Sequence, residues 1–148
     1  MVKMDPINLL LVEDDPADQK LIKLSLKNQK IANDVYCVSN GEDGLDYLFH
    51  KNGYNGNAPK PDLILLDLNM PGMGGKEFLK RIKTIDDLKT IPVIILTTSD
   101  SERDIIESYQ LQASGYVHKP VTLDEFKGVM EKIEDYWFVM CRLPPKDC

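Results

Sequence analysis

Leu63-Ile64-Leu65-Leu66 has no polar face, and the charge that ends it, Asp67, runs straight into the turn-forming Leu68-Asn69-Met70-Pro71-Gly72. A strand that is apolar on both sides needs cover on both sides, which is the position of a central strand in a parallel sheet with helices above and below. The pattern recurs along the chain. Ile7-Asn8-Leu9-Leu10-Leu11-Val12 runs into Glu13-Asp14-Asp15, Ile91-Pro92-Val93-Ile94-Ile95-Leu96 runs into Thr97-Thr98-Ser99, and Gly115-Tyr116-Val117-His118 delivers Lys119 just before Pro120. Helix-period segments separate these runs, so the chain reads as repeated βα units: an α/β, doubly wound parallel sheet of five strands with five helices. In such sheets the carboxyl ends of the strands face the ligand crevice. Acids, a hydroxyl and an amine are therefore expected along a single edge.

Between the strands, Asp15-Pro16 reads as an N-cap with proline at the first helical position, Ala17, Leu21 and Leu24 giving helical spacing and the helix fading near Asn28. Asp34 to Val38 is a weaker second strand, and Gly41 to His50 is a helix carrying Leu45, Leu48 and Phe49. Lys51 to Lys60, with Asn52, Gly53, Asn55, Gly56, Asn57 and Pro59, is a loop by breaker content. Phe78, Leu79, Ile82 and Ile85 mark a third helix. Asp100 or Ser101 caps a fourth through Gln110, with Ile105, Ile106 and Tyr109 expected on its inner side. The last helix, from near Thr122, spaces Leu123, Phe126, Met130, Ile133, Trp137 and Met140 by threes and fours. Tyr136-Trp137-Phe138-Val139-Met140 is apolar on more than one face, so it either folds back over the domain or meets another chain, for which a two-fold homodimer is the usual outcome. Pro144-Pro145-Lys146-Asp147-Cys148 reads as a fraying tail.

Composition excludes several classes. A chain of 148 residues suits one domain, and a net charge of -6 without a basic stripe argues against nucleic-acid binding. No run approaches the roughly 20 apolar residues that span a bilayer, and Met1 to Pro6 has no long apolar core, so neither membrane insertion nor export is expected. Cys37, Cys141 and Cys148 form an odd, scattered set without metal-ligand spacing, which fits a reducing cytoplasmic setting. The glycines after Asp67 fail as a nucleotide loop, because Glu77 stands where Ser or Thr is needed and Met70 where Gly is needed.

If the first and third strands are neighbours, Glu13, Asp14 and Asp67 converge. Carboxylates so placed repel one another and call for a divalent cation or raised pKa values. Without His or Cys at these strand ends, all-oxygen ligation suits Mg2+ rather than zinc. Lys119 adds a point charge and Thr97 a hydroxyl, completing a cradle for a phosphoryl group in which Asp67 is the candidate nucleophile. Asp15 is read as a helix cap rather than a ligand, and His50 and His118 are left out of the chemistry.

The set Glu13-Asp14, Asp67 in Asp-Leu-Asn-Met-Pro, Thr97 and Lys119-Pro120 resembles the receiver domain of two-component response regulators, over about Ile7 to Asp135. The resemblance implies a flavodoxin-like sheet of order 2-1-3-4-5 and a single receiver domain over 1–148, with its core at about 7–135 and a C-terminal helix extension and tail over 136–148. It further implies that Asp67 accepts phosphate from a sensor histidine kinase. Asp14, Asp67 and the Asn69 carbonyl would bind Mg2+ directly and Glu13 through water. Lys119 would hold a phosphoryl oxygen, Thr97 would move toward the acyl phosphate, and Tyr116 would be the switch aromatic that turns inward. Such a protein is not a turnover enzyme. It acts by phosphorylation-dependent binding to a downstream protein or by passing phosphate to a histidine phosphotransfer protein. The loop Lys51 to Lys60, the ending Tyr136-Trp137-Phe138 and the nearby Leu143-Pro144 look like stand-alone receivers paired with phytochrome-like kinases.

One departure is the turn Gly72-Met73-Gly74-Gly75, which lacks the acid often found before the glycine, so Gly74 implies a looser turn. Two alternatives come from other classes. A magnesium-dependent phosphohydrolase or phosphotransferase with an aspartyl nucleophile commonly needs a second Asp two residues on, where this chain has Asn69. A pseudo-receiver that binds partners without phosphorylation sits poorly with the intact acids, Thr97 and Lys119.

Overall fold

The structure, a computed structural model, describes residues 6–27, 29, 32–54 and 58–140, with side chains through 137. The first five residues, the helix end at Asn28, the loop residues Asn55, Gly56 and Asn57, Cys141 and the tail Pro144 to Cys148 lie outside the described residues, as do the side chains of Phe138, Val139 and Met140.

Five parallel strands, β1 (Ile7–Val12), β2 (Asn33–Val38), β3 (Leu63–Leu66), β4 (Val93–Thr97) and β5 (Gly115–His118), form one sheet in the order β2-β1-β3-β4-β5. Each crossover is a helix: α1 (Pro16–Leu26), α2 (Gly41–Phe49), α3 (Gly75–Lys83) and α4 (Glu102–Gln110), with α5 (Leu123–Glu134) closing the layer. Strand side chains alternate between faces, and the core divides accordingly. Leu10, Val12, Ile64, Leu66, Val93 and Ile95 pack with the buried faces of α2 and α3. Leu9, Leu11, Leu63, Leu65, Ile94 and Leu96 pack with Ile22 and Leu26 of α1 and with Phe126, Met130 and Ile133 of α5.

The helix ends follow local chemistry. Asp15 caps α1 by accepting from Ala17 N, Asn40 caps α2, Ser101 rather than Asp100 caps α4, and Thr122 caps α5. Two apolar faces differ from those expected. In α1 the buried stripe is Ile22, Ser25 and Leu26, while Leu24 is exposed. In α4 only Ser108 is fully buried, and Ile106 and Tyr109 are 55 % and 51 % exposed. The turn after β3 also differs. Gly74 has φ -67°, open to any residue, and the left-handed position is Gly72 at +73°, where Met73 N donates to Glu42 Oε1 at 2.7 Å. Gly75 is needed for space, since a Cβ there would meet the backbone of Asp67 and lie 2.7 Å from Leu68 Cα.

After α5 the chain continues as a π-helical turn, Asp135–Met140. Trp137 packs back on the α1–α5 side of the core, edge-on to Tyr136, which is turned outward. The loop from Lys51 is tied down by Tyr47, whose hydroxyl donates to Pro59 O at 2.8 Å and whose ring meets those of Tyr36 and Tyr54. No helix among the described residues is long and apolar enough to cross a membrane.

Candidate functional site

Backbone bonds carry the sheet one residue past its strand ends and so fix the site. Glu13 N donates to Val38 O and Asp67 N to Val12 O, both at 3.0 Å, while Lys119 N donates to Thr97 O at 2.7 Å. The alternation continues with them. Glu13 follows Leu9 and Leu11 in parity, Asp67 follows Leu63 and Leu65, and Lys119 follows Val117, so all three point to the α1–α5 side.

There the Lys119 ammonium donates to Glu13 Oε1 at 2.5 Å, Asp18 Oδ2 at 3.0 Å and Asp67 Oδ2 at 3.3 Å. Glu13, Lys119 and Asp67 are nearly inaccessible, at 1 %, 5 % and 6 % exposure. One carboxylate oxygen each from Glu13, Asp14 and Asp67 lies within 4.8 Å of the others. Burial, and then the charge of Asp67, push the Glu13 carboxyl up from 4.5 to about 7 against the opposing pull of Lys119. Burial alone would lower Lys119, but its hydrogen bonds to Glu13 and Asp18 and the charges of Glu13 and Asp67 outweigh it and hold the ammonium above the ordinary lysine range. One cation thus pairs with three carboxylates while Asp14 stands beside two of them, and the excess of oxygen ligands fits a hard divalent ion such as Mg2+. Asn69 sits at the exposed rim, its N–H donating to Asp67 Oδ1 at 3.3 Å.

Thr97 and Tyr116 occupy the other parity. Thr97 follows Val93 and Ile95, and Tyr116 packs on the same α2–α3 core. Both reach Ser99: its N–H donates to the buried Thr97 Oγ1 at 3.4 Å, and its carbonyl accepts from the Tyr116 hydroxyl at 2.8 Å. The structure therefore brings Glu13, Asp14, Asp67 and Lys119 together and sets Thr97 and Tyr116 beside them as a separate pair joined through Ser99. Period-two counting from the strand interiors would have separated the two groups in the sequence.

Two site residues were missed by the sequence reading. Asp18 supplies the third carboxylate on Lys119, and the Gln19 amide donates to Glu13 O at 2.5 Å and Ser39 Oγ at 3.2 Å. Both lie in the first turn of the helix that Asp15 caps, a position that first-turn acids of α4 and α5 share, so the sequence alone does not single them out.

Comparison with known proteins agrees with this fold. The family model described as the response regulator receiver domain matches residues 9–131. Response regulator Rcp1 of Synechocystis is 40% identical over 139 residues, 94% of each chain. The structure of the phosphorylated cyanobacterial phytochrome response regulator RcpA superposes with a TM-score of 0.89 at 39% identity, covering 95% of this chain and all of the other. The Mn2+-bound form of Rcp1 does so with 0.86 at 39% identity, with 95% and 100% coverage. With the order β2-β1-β3-β4-β5, the acidic strand ends and a family match over most of its length, the chain belongs to the response regulator receiver domain family.

Proposed function

We propose that the protein is a phosphorylation-driven switch in a two-component relay, with Asp67 as phosphoacceptor and a histidine kinase as donor. The observation that carries this reading is the placement of Asp67, a buried carboxylate at a strand end, 3.3 Å from a buried ammonium and beside two further carboxylates. A carboxylate oxygen of Asp67 forms the O–P bond as the N–P bond of a phosphohistidine breaks, and the departing imidazole nitrogen keeps the electron pair and takes up a proton. Lys119, already charged and aimed at Asp67, holds a phosphoryl oxygen. Asp14, Asp67 and the Asn69 carbonyl would hold Mg2+, with Glu13 acting through water; the ion supplies neutralisation of charge on the phosphoryl oxygens. Thr97 would turn its hydroxyl from Ser99 N toward the new acyl phosphate, and Tyr116 would report that motion at the surface of α4 and β5.

The likeness to the cyanobacterial phytochrome response regulator RcpA supports a phytochrome-like sensor kinase as donor. Exposed Ile106, Tyr109, Val121 and Tyr136 offer apolar area for a downstream protein, a histidine phosphotransfer protein or a second copy of the chain. A turnover phosphohydrolase finds no support at Asn69, whose amide cannot serve as acid or base.

Incubation with phosphoramidate and Mg2+, read by intact mass, tests the central claim. A phosphate-sized increment that is absent from Asp67→Asn is the expected result, and no increment in the native chain at any Mg2+ concentration overturns it. Size exclusion with and without phosphoramidate, repeated on Tyr136→Ala, tests self-association; an unchanged elution volume throughout removes the homodimer.

A further inference from the structure

Three polar atoms of Ser99 join three parts of the fold. Its N–H holds Thr97 Oγ1, its carbonyl holds the Tyr116 hydroxyl, and its own hydroxyl donates to Asp104 Oδ2 at 2.5 Å. Asp104, in the first turn of α4, accepts through its other oxygen from Lys76 Nζ, which also donates to Glu107 Oε2 at 2.7 Å. Lys76 is the second residue of α3 and follows Gly75, whose N–H returns to Leu68 O at 3.0 Å. One ammonium therefore spans from the loop that begins at Asp67 to the start of α4. The hydrogen bonds to Asp104 and Glu107 raise the Lys76 ammonium, and those from Lys76 and Ser99 lower Asp104, as a formed ion-pair network should. This network does what apolar packing does elsewhere, because α4 fully buries only Ser108.

We propose, resting on the phosphoacceptor reading above, that Lys76 is a positioning residue. Through Asp104 it fixes Ser99, whose carbonyl docks Tyr116 and whose N–H holds Thr97, and it thereby sets how strongly an event at Asp67 is felt at Tyr116 and α4. It touches no reacting atom. Its removal leaves the nucleophile, the acids and Lys119 in place and loosens only the dock. In the present arrangement Tyr116 packs inward with its hydroxyl on Ser99, so loss of the clamp shifts Tyr116 outward. Two partly exposed charge-assisted bonds are at stake, and the expected shift in the inward-to-outward ratio is about fivefold.

The test is 19F NMR of protein carrying 3-fluorotyrosine, with the Tyr116 resonance identified by its loss in Tyr116→Phe. Before any phosphoryl donor is added, Lys76→Met and Asp104→Asn should each move or broaden that resonance, Lys76→Arg should restore at least half of the change, and the double variant should be no worse than either single one. After phosphoramidate and Mg2+, Lys76→Met should still gain a phosphate-sized mass on Asp67 while its Tyr116 response shrinks. An unmoved Tyr116 resonance in both single variants overturns the proposal, as does a fall in thermal midpoint without any change at Tyr116, which would mark a structural tether. Absence of a mass increment in the native chain overturns the phosphoacceptor reading instead, while the donor-free comparison still decides the role of Lys76.

Discussion

Asp14→Asn should stabilise the metal-free protein and destroy its response to Mg2+. Among the described residues no cation lies within salt-bridge distance of Asp14, whereas an oxygen of its carboxylate lies within 4.8 Å of oxygens of both Glu13 and Asp67. At that separation and an effective dielectric of about 20, each full repulsion is worth ~3.5 kcal/mol. Glu13, with its carboxyl pushed up to about 7, carries only part of a charge at neutral pH, and Asp14 is only partly buried and screened by salt. A net gain of about 1–2 kcal/mol remains, or ~3–6 °C in thermal midpoint for a domain of this size. Asp67→Asn should gain less, because it also forfeits attraction to Lys119 at 3.3 Å, worth ~5 kcal/mol by the same arithmetic. Thermal unfolding by circular dichroism in EDTA and again in saturating Mg2+ gives the decisive comparison. The variant should melt above the native protein in EDTA and at or below it in Mg2+, since Mg2+ at a hundred times its Kd stabilises the native protein by ~2.7 kcal/mol. A variant less stable in EDTA, or stabilised by Mg2+ as much as the native chain, refutes the placement of Asp14 in an unneutralised metal site.

Three further outcomes follow from named positions. Gly75→Ala should destabilise by about 2 kcal/mol because its Cβ would press on the backbone of Asp67 and Leu68, whereas Gly74→Ala, with its nearest neighbour Leu68 O at 3.6 Å, should be nearly neutral in urea unfolding. Gly128→Ala in the middle of α5, where a Cβ meets nothing within 4 Å, should gain about 0.5–1 kcal/mol of stability from helix propensity; a loss in the same urea assay would show hidden crowding. Glu13 binds a proton in the metal-free fold between its ordinary 4.5 and about 7, so its contribution to metal-free stability falls as pH rises through that window. Mg2+ affinity by calorimetry should accordingly climb from pH 5.5 to 7.5 and level off above ~8. A flat profile in the native chain contradicts it.

The strands were legible because each central one is apolar on both faces; their order β2-β1-β3-β4-β5 was not legible in that property and came from the family resemblance. Asp67, Glu13, Asp14 and Lys119 were legible because a charge directly after such a run has solvent on one side only. Asp18 was not, because a first-turn acid on a helix is ordinarily there for the dipole, and nothing in one sequence distinguishes it from Asp104 or Glu125. The turn at Gly72–Gly75 was misjudged for a related reason. The residue that needs a left-handed backbone and the one that needs empty space are neighbours of Gly74, and composition alone does not say which glycine serves which purpose.

Helix α4 is where hydrophobic periodicity failed, and the failure has a cause that bears on function. Ile105, Ile106 and Tyr109 are apolar, so a reading by burial turns them inward. Instead the rotation of α4 about its axis is set at its first turn, where Ser101 caps Asp104 N and Asp104 is drawn down by Ser99 and Lys76. With Asp104 turned toward Ser99 and Lys76, the residue one turn later, Ser108, lies on the same side of the helix. The inner position then goes to a small side chain whose hydroxyl lies buried without a hydrogen-bond partner among the described residues, while Ile106 and Tyr109 are carried to the surface. A helix held by a few polar bonds rather than by an apolar face has the least to lose when those bonds rearrange. The helix whose inner face was misread is thus tied at its first turn to Ser99, which also bonds Thr97 and Tyr116, and it leaves Ile106 and Tyr109 exposed.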